Sequence, residues 1–166
     1  NSWDWRSGKH HLKDLPPPVL KGEHQYRNAS SVLAAIDCLQ NKIPVSEQAI
    51  RQGLRGANLP GRFQLIESEP PVLLDVSHNP QAATALLDYL ETEFPKLPVH
   101  AVFTMMSDKD MQSVINLMKE KVEQWYISPL DNPRTSKETD IKNAFQHNQV
   151  TNIQTGFQHF SDAFQQ

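Results

Sequence analysis

The chain has 166 residues, 38% of them hydrophobic and 21% charged, which suits one domain or one domain with a small appendage. Its net charge of −3 argues against a nucleic-acid surface, which would favour a basic domain. Neither a membrane span of roughly 20 apolar residues nor a secretory signal peptide is visible. We therefore expect a cytoplasmic protein with no nucleic-acid or membrane partner.

The first segment, residues 1–23, contains two tryptophans and the triplet Pro16-Pro17-Pro18. The prolines exclude a helix and favour extended, polyproline-like backbone. The segment starts without an initiator methionine. We therefore expect the chain to be a piece of a longer protein.

Two helices are predicted next. Residues 28–41 carry apolar side chains at the spacing of one helical face. Residues 46–54 open on Ser46, which can cap a helix. The single cysteine, Cys38, cannot form a disulfide within the chain, and we expect it to be a buried small hydrophobe rather than a reactive thiol. Residues 57–61 are typical of a linker, because Pro-Gly marks a turn.

From residue 63 onward, strand and helix patterns alternate. In chain order the patterns predict strands at 63–67 and 72–76, a helix at 80–94, a strand at 99–105, a helix at 110–121, a strand at 125–128, a helix at 136–145, a strand at 150–155 and a helix at 157–166. This alternation predicts an α/β fold with a Rossmann-like, mostly parallel sheet and helices on both faces. In such sheets ligands bind beyond the carboxyl ends of the strands.

The loop from Asp75 to Asn79 is a candidate site, since it joins a predicted strand to a helix that begins near Pro80. Helix N-termini attract anions, and an Asp at a strand end can accept hydrogen bonds from ribose hydroxyls. His78 could bind a phosphate oxygen, a carboxylate or a metal. The alternative is structural: Asn79 caps the helix and Asp75 ends the strand.

Arg62 is a second candidate, because it lies in a Pro-Gly turn between segments of different character. Its forked guanidinium suits the oxyanions of a triphosphate. A surface ion pair is the alternative. No glycine-rich phosphate loop is present, so the chain does not cradle a triphosphate by itself.

Other polar groups are candidates for weaker roles. His24, Gln25 and Asn28 open the first long helix, where the amides match an adenine edge but could equally cap the helix. Lys109 could contact an anion and Arg134 a carboxylate, although both lie in turn-forming sequences. We expect no metal site in this chain.

The order of these motifs resembles the Mur ligase superfamily, and most closely its folylpolyglutamate and dihydrofolate synthase branch. The resemblance rests on three motifs, His24-Gln25-x-x-Asn28-Ala29, Leu59-Pro60-Gly61-Arg62-Phe63-Gln64 and Asp75-x-x-His78-Asn79-Pro80. It implies an ATP- and Mg²⁺-dependent ligase that joins L-glutamate to dihydropteroate or to folates through an acyl phosphate. The magnesium ligands would lie mainly in an N-terminal part that this chain lacks.

The resemblance also implies roles for single residues. Asn28, with His24 and Gln25, would contact adenine, Asp75 the ribose and Arg62 the phosphates. His78 would be catalytic, near the phosphates and the incoming glutamate. The substrate would further contact Asn79, Lys109 and Arg134.

The same resemblance implies a domain organisation. Residues 1–58 would be a small helical tail of the central ATPase domain, residues 59–64 a linker and residues 65–166 the Mur ligase C-terminal domain without its last strand. We expect this fragment to be monomeric and inactive alone. Two alternatives stay open, a peptidoglycan Mur ligase and a non-catalytic nucleotide-binding module.

Overall fold

The computed structural model describes residues 2–8, 10–20, 22–128 and 130–166. The chain divides into two compact units, Asn1–Val76 and Ser77–Gln166. A lipid bilayer could not be crossed by any helix of the described residues, since none is both long and apolar enough.

The first unit combines two hairpins with two helices. Its elements are β1 (Trp3–Ser7), β2 (His10–Leu15), α1 (His24–Leu39), α2 (Glu47–Gly56), β3 (Gln64–Ile66) and β4 (Val72–Leu74). Each pair of strands is antiparallel and forms a sheet of its own. The Ser46 hydroxyl accepts a hydrogen bond from the Ala49 amide and caps α2, which confirms the capping prediction.

A small core joins the first hairpin to α1. Trp5, Leu15 and Leu33 are buried together, and the indole of Trp5 donates to the carbonyl of Ser30 across 3.2 Å. At the hairpin's other end, the Arg51 guanidinium of α2 donates to two backbone carbonyls just before the prolines. The hairpin therefore packs on one face of α1 and is tied to α2.

The second unit is an α/β arrangement. Its elements are α3 (Pro80–Glu93), β5 (Val99–Phe103), α4 (Met111–Met118), β6 (Val122–Ile127), α5 (Glu138–His147), β7 (Ile153–Gln154) and α6 (Phe160–Phe164). The strands form one parallel sheet in the order β5-β6-β7. Parallel neighbours require crossovers, which α4 and α5 supply. This confirms the α/β fold class.

The core of the second unit is aromatic. Trp125 and Phe145 are almost completely buried, and their rings meet edge to face with centroids 5.0 Å apart. Phe103 contacts both rings. Edge-to-face pairs of this kind add about 0.5–1.5 kcal/mol each beyond the burial of their area.

Two expectations differ from the structure and a third is confirmed. Residues 3–15 form a hairpin rather than polyproline-like backbone, because Trp3 and Trp5 alternate with polar residues and pair with Leu15 and Leu12. Cys38 is exposed, so the expectation of a buried thiol is wrong. The two short strands on either side of Pro70-Pro71 were expected to pair, and β3 and β4 do pair, in an antiparallel hairpin of their own.

Candidate nucleotide and substrate sites

The first turn of α1 holds three candidate residues in a hydrogen-bonded row. The Gln25 side chain donates from Nε2 to His24 Nε2 across 3.0 Å, and its Oε1 accepts from Asn28 Nδ2 across 3.1 Å. Gln25 is buried, whereas Asn28 is exposed. The buried amide therefore orients both neighbours, while Asn28 keeps further donor and acceptor capacity for a ligand.

A glycine and a phenylalanine, to which the sequence analysis assigned no role of their own, position this row. The ring of Phe63 meets that of His24 edge to face, with centroids 5.5 Å apart. Gly22 has a φ of +99°, and a Cβ there would lie 2.6 Å from His24 Cε1 and 3.0 Å from Phe63 Cε2. Only glycine fits this position without displacing the histidine.

The turn that carries Arg62 is held at both ends. The Gly61 amide donates to Gln64 Oε1 across 3.0 Å, and the Phe63 amide donates to Asp75 Oδ2 across 3.1 Å. Phe63 is buried, and its φ of 44° lies in the left-handed region. Asp75 therefore stabilises a costly turn conformation. Gly61 and Gln64, on either side of Arg62, therefore have a structural role in this turn.

Arg62 lines an open cleft of about 570 Å³ in the first unit. Arg55, at the end of α2, lines the same cleft. Among the residues that the structure describes, neither guanidinium makes a hydrogen bond or an ion pair. Both therefore keep their full donor sets for an anion, and the surface ion pair considered for Arg62 is absent from the described residues.

His78 and Asn79 belong to the second unit, because the division falls between Val76 and Ser77. Asn79 caps α3: its Oδ1 accepts from the Ala82 amide across 2.9 Å. Pro80 follows in the first turn. The structural alternative for Asn79 is therefore realised, while its amide nitrogen is not used by the cap.

Lys109 and Arg134 share one carboxylate in the second unit. Asp108 lies 2.9 Å from Lys109 Nζ, and it accepts two hydrogen bonds, 3.0 and 3.1 Å long, from Arg134 Nη2. The two cations, Lys109 first and then Arg134, lower the pKa of Asp108 from 3.8 to about 2. The sequence did not single out Asp108, since no local signal joins it to Arg134.

These ion pairs connect the loops after β5 and β6, at the carboxyl edge of the parallel sheet. The Ser107 amide donates to the Arg134 carbonyl across 2.9 Å. The buried hydroxyls of Thr104 and Thr135, on the same two loops, have no hydrogen-bond partner among the described residues. The two cations at this edge are suitable partners for a carboxylate ligand.

Comparison with known proteins places the second unit and the end of the first in one family. Residues 61–166 match the family described as Mur ligase, glutamate ligase domain. The chain is 39% identical over 137 residues to the dihydrofolate synthase/folylpolyglutamate synthase of Escherichia coli strain K12. This aligned region covers 79% of this chain and 30% of that relative. The chain thus spans about a third of the length of such relatives.

Solved structures agree with this comparison. E. coli FolC in complex with DHPP and ADP superposes with a TM-score of 0.80 at 32% identity, over 99% of this chain and 37% of its own. The bifunctional folylpolyglutamate synthase/dihydrofolate synthase of Yersinia pestis, complexed with AMPPNP and a manganese ion, superposes with a TM-score of 0.77 at 32% identity. The match covers 98% of this chain and 37% of the Yersinia chain. Because the family match covers more than half of the chain, the chain belongs to the Mur ligase family through its glutamate ligase domain.

Proposed function

We propose that this chain is part of an ATP-dependent ligase that adds L-glutamate to dihydropteroate, to folylpolyglutamates or to both. The observation that supports this most strongly is the 39% identity to a dihydrofolate synthase/folylpolyglutamate synthase. The motifs around Arg62 and Asp75 fall inside the family match. ATP supplies the phosphoryl group that activates the substrate carboxylate, and the glutamate amine then forms the amide with loss of phosphate.

The first unit fits the nucleotide. Asn28, oriented by Gln25 and His24, would contact the adenine. Arg62 would bind phosphate oxygens, because its guanidinium lines the cleft without a partner among the described residues. Asp75, whose Oδ2 accepts from the Phe63 amide, would hold the ribose. Mg²⁺ would be bound mainly by polypeptide outside this chain.

The second unit fits the amino acid. We propose that Lys109 and Arg134 bind carboxylates of L-glutamate at the carboxyl edge of the sheet, in exchange for part of their pairing with Asp108. His78 would act beside the reacting groups, and Asn79 would contact substrate through its amide nitrogen while its oxygen caps α3. Water exclusion is essential here, since an acyl phosphate hydrolyses readily.

The organisation of the whole protein is part of the proposal. Residues 1–58 would be the tail of a central ATPase domain, residues 59–64 a linker and residues 65–166 the C-terminal domain. The family match, which begins at Gly61, supports this boundary. The ligase would be a monomer, and it would be cytoplasmic, since ATP and its other substrates are small soluble molecules of that compartment.

A chimaera tests the proposal. Residues 1–166 would replace the aligned region of the E. coli relative, and phosphate release would be measured with ATP, L-glutamate and dihydropteroate or a folate. We expect turnover that needs all three substrates. Arg62→Gln should lower kcat by about 10²-fold or more, the typical effect of removing a preorganised charge-stabilising donor. Lys42→Gln, at an exposed cation of the first unit that does not line this cleft, is the control and should retain turnover.

Two further results separate the alternatives. The chain alone should release no phosphate, because no residue here forms a glycine-rich phosphate cradle. A UDP-muramoyl peptide should not replace dihydropteroate in the chimaera, and turnover with it would favour a peptidoglycan ligase. Nucleotide binding without any ligation by the chimaera would favour a non-catalytic module.

A further inference from the structure

The two nucleotide contacts proposed for the first unit, Asn28 and Arg62, lie on segments that touch one another. Asn28 belongs to α1, and Arg62 belongs to the turn of residues 61–64, which we call the Arg62 turn. The segments meet where the ring of Phe63 packs edge to face on the ring of His24, with centroids 5.5 Å apart. Phe63 is buried, so its ring has little freedom to leave this contact.

On the helix side, hydrogen bonds continue the contact to Asn28. His24 Nε2 accepts from the side-chain amide of Gln25, whose Oε1 in turn accepts from Asn28 Nδ2. A side-chain amide carries a donor at one end and an acceptor at the other, so the orientation of Gln25 decides which group it offers to Asn28. Hydrogen-bonded rows of this kind act together rather than as separate pairs. The position of the Asn28 amide therefore depends on the His24 ring.

On the turn side, the backbone continues the contact to Arg62. Phe63 directly follows Arg62 and has a φ of 44°, which a non-glycine residue keeps only where its surroundings enforce it. The Phe63 amide donates to Asp75 Oδ2 across 3.1 Å. The Val76 amide donates to the Gly61 carbonyl across 2.9 Å. A displacement of the Phe63 ring would strain these bonds and change the direction in which the backbone presents Arg62.

Gly22 closes the contact from a third side. A Cβ at this position would lie 2.6 Å from His24 Cε1 and 3.0 Å from Phe63 Cε2. The glycine backbone and the two rings are therefore packed against one another, without room for one ring to move independently of the other. In close-packed groups of this kind, a displacement of one member is transmitted to its neighbours.

We propose that Phe63 is a positioning residue that couples the two ends of the nucleotide site. Binding of adenine by Asn28 holds the His24 ring in place. Through Phe63, that ring holds the Arg62 turn in the conformation that directs Arg62 at the phosphates. Base and phosphates are then recognised cooperatively, and each contact strengthens the other by the same factor. The coupling rests on the proposed nucleotide roles of Asn28 and Arg62, whereas the physical connection between the two segments does not.

A double-mutant cycle in the chimaera tests the coupling. The Kd for ATP would be measured without glutamate for the unchanged chimaera, for Asn28→Ala, for Arg62→Gln and for the double variant. Independent contacts would lose affinity by factors that multiply, whereas coupled contacts lose less together than that product. We expect the double variant to bind ATP at least about threefold more tightly than the product predicts. In a Phe63→Leu background, which keeps an apolar side chain without the ring, the factors should multiply.

Tyr26→Leu is the matched control for the loss of the ring. Tyr26 lies two residues after His24 on α1, and its ring meets that of Trp3 edge to face at the same centroid distance of 5.5 Å. The variant therefore removes an equivalent ring pair, one that joins α1 to the first hairpin instead of the Arg62 turn. The coupling should persist in this variant. Its loss here would overturn the proposal, because any loosening of α1 would then suffice.

A measurement on the chain without nucleotide tests the connection by itself. His24→Ala removes the ring against which Phe63 packs. We therefore expect faster hydrogen exchange at the Phe63 amide, because the Arg62 turn would open more often. Tyr26→Leu should leave this exchange rate unchanged. In the opposite direction, Phe63→Leu should shift the NMR signals of the Asn28 side-chain amide.

The outcomes separate this proposal from the proposed function. Factors that multiply in the unchanged background would overturn the coupling and leave the nucleotide roles of Asn28 and Arg62 intact. Coupling that survives Phe63→Leu, with uniformly weaker binding, would reduce Phe63 to a structural role and overturn the proposal. A chimaera that does not bind ATP would contradict the proposed function. The exchange rate in His24→Ala then decides the connection alone: acceleration supports it and an unchanged rate overturns it.

Discussion

The two units contrast in what holds their candidate binding residues. In the second unit, Lys109 and Arg134 are paired with Asp108 above a sheet with a large aromatic core. In the first unit, Arg62 has no polar partner among the described residues, and the core beneath α1 is small. The second unit therefore has a large core and neutralises its candidate cations with Asp108. The first unit has a smaller core, and its candidate cation Arg62 has no such counter-ion among the described residues.

Because of this difference, substitutions that change the stability of a unit can be distinguished from substitutions that change only its candidate binding residues. Substitutions in the second unit's core should unfold that unit without local effects on the first. Substitutions around Phe63 should alter a few specific hydrogen bonds instead, since the turn depends on single donors and acceptors. The following experiments compare the units on these terms, from the largest expected effect to the smallest.

The largest effect is expected in the aromatic core. Phe145→Ala removes a ring that is completely buried against Trp125 and Phe103. We expect a loss of about 3–5 kcal/mol in the free energy of unfolding of the second unit, because a large cavity forms. Chemical denaturation followed by NMR would measure each unit separately. Phe164→Ala, at an exposed ring, should cost less than about 0.5 kcal/mol; equal costs would refute the assigned core.

Two glycines of the first unit should respond in opposite directions to alanine. Gly22→Ala should destabilise the unit by more than about 1 kcal/mol, because its φ is +99° and the new Cβ would displace the His24 ring. Gly53→Ala, inside α2 with nothing within 4 Å of a Cβ, should stabilise the unit by about 0.5–1 kcal/mol. Thermal denaturation measures the Tm of both variants. A Tm for Gly22→Ala that is unchanged or raised would contradict the placement of Gly22.

A smaller and more local effect is expected at Asp75. Asp75→Ala removes the carboxylate that accepts a hydrogen bond from the Phe63 amide. Amide hydrogen exchange at Phe63 should therefore accelerate, whereas Asp88→Ala, at an exposed carboxylate of α3, should leave it unchanged. An unchanged exchange rate in Asp75→Ala would mean that this hydrogen bond does not hold the turn.

The smallest effect concerns the charge cluster of the second unit. In the folded protein the pKa of Asp108 is about 2, below its usual 3.8. The ion pairs therefore contribute fully to the stability of the fold above pH 3.8, and that contribution is lost as the pH falls through about 2. An NMR titration of the Asp108 carboxyl should show this midpoint. Lys109→Gln should raise the midpoint most and Arg134→Gln less, while Lys96→Gln, outside the cluster, should have no effect.

Much of the fold was predictable because its signals are local. Ser46, Asn79 and Asp110 each cap the helix that follows them, and the parallel strands fall close to their predicted positions. The first hairpin was missed because its pairing joins Trp3 to Leu15 across a turn, while the prolines that follow dominate the local pattern. Exposure of Cys38 was missed because an apolar neighbourhood in sequence does not reveal which face of α1 is covered.

The candidate sites divide in the same way. Gln25 and Asn28 are three residues apart on one helix, so their contact is implied by helical spacing. Asp108 and Arg134 meet only because β5 and β6 are neighbours, and no local pattern encodes that pairing. Phe63 and Gly22 were missed because each acts through the shape of a turn. The assigned ligand roles of all these residues stay predictions.

The exposure of Cys38 also has a spectroscopic consequence. It is the single thiol of the sequence, and it lies in α1 close to Leu39. A fluorophore or spin label would therefore attach at one place without any substitution. Because α1 also carries Gln25 and Asn28, the proposed contact of these residues with adenine predicts a change in the label's emission or mobility when ADP is added.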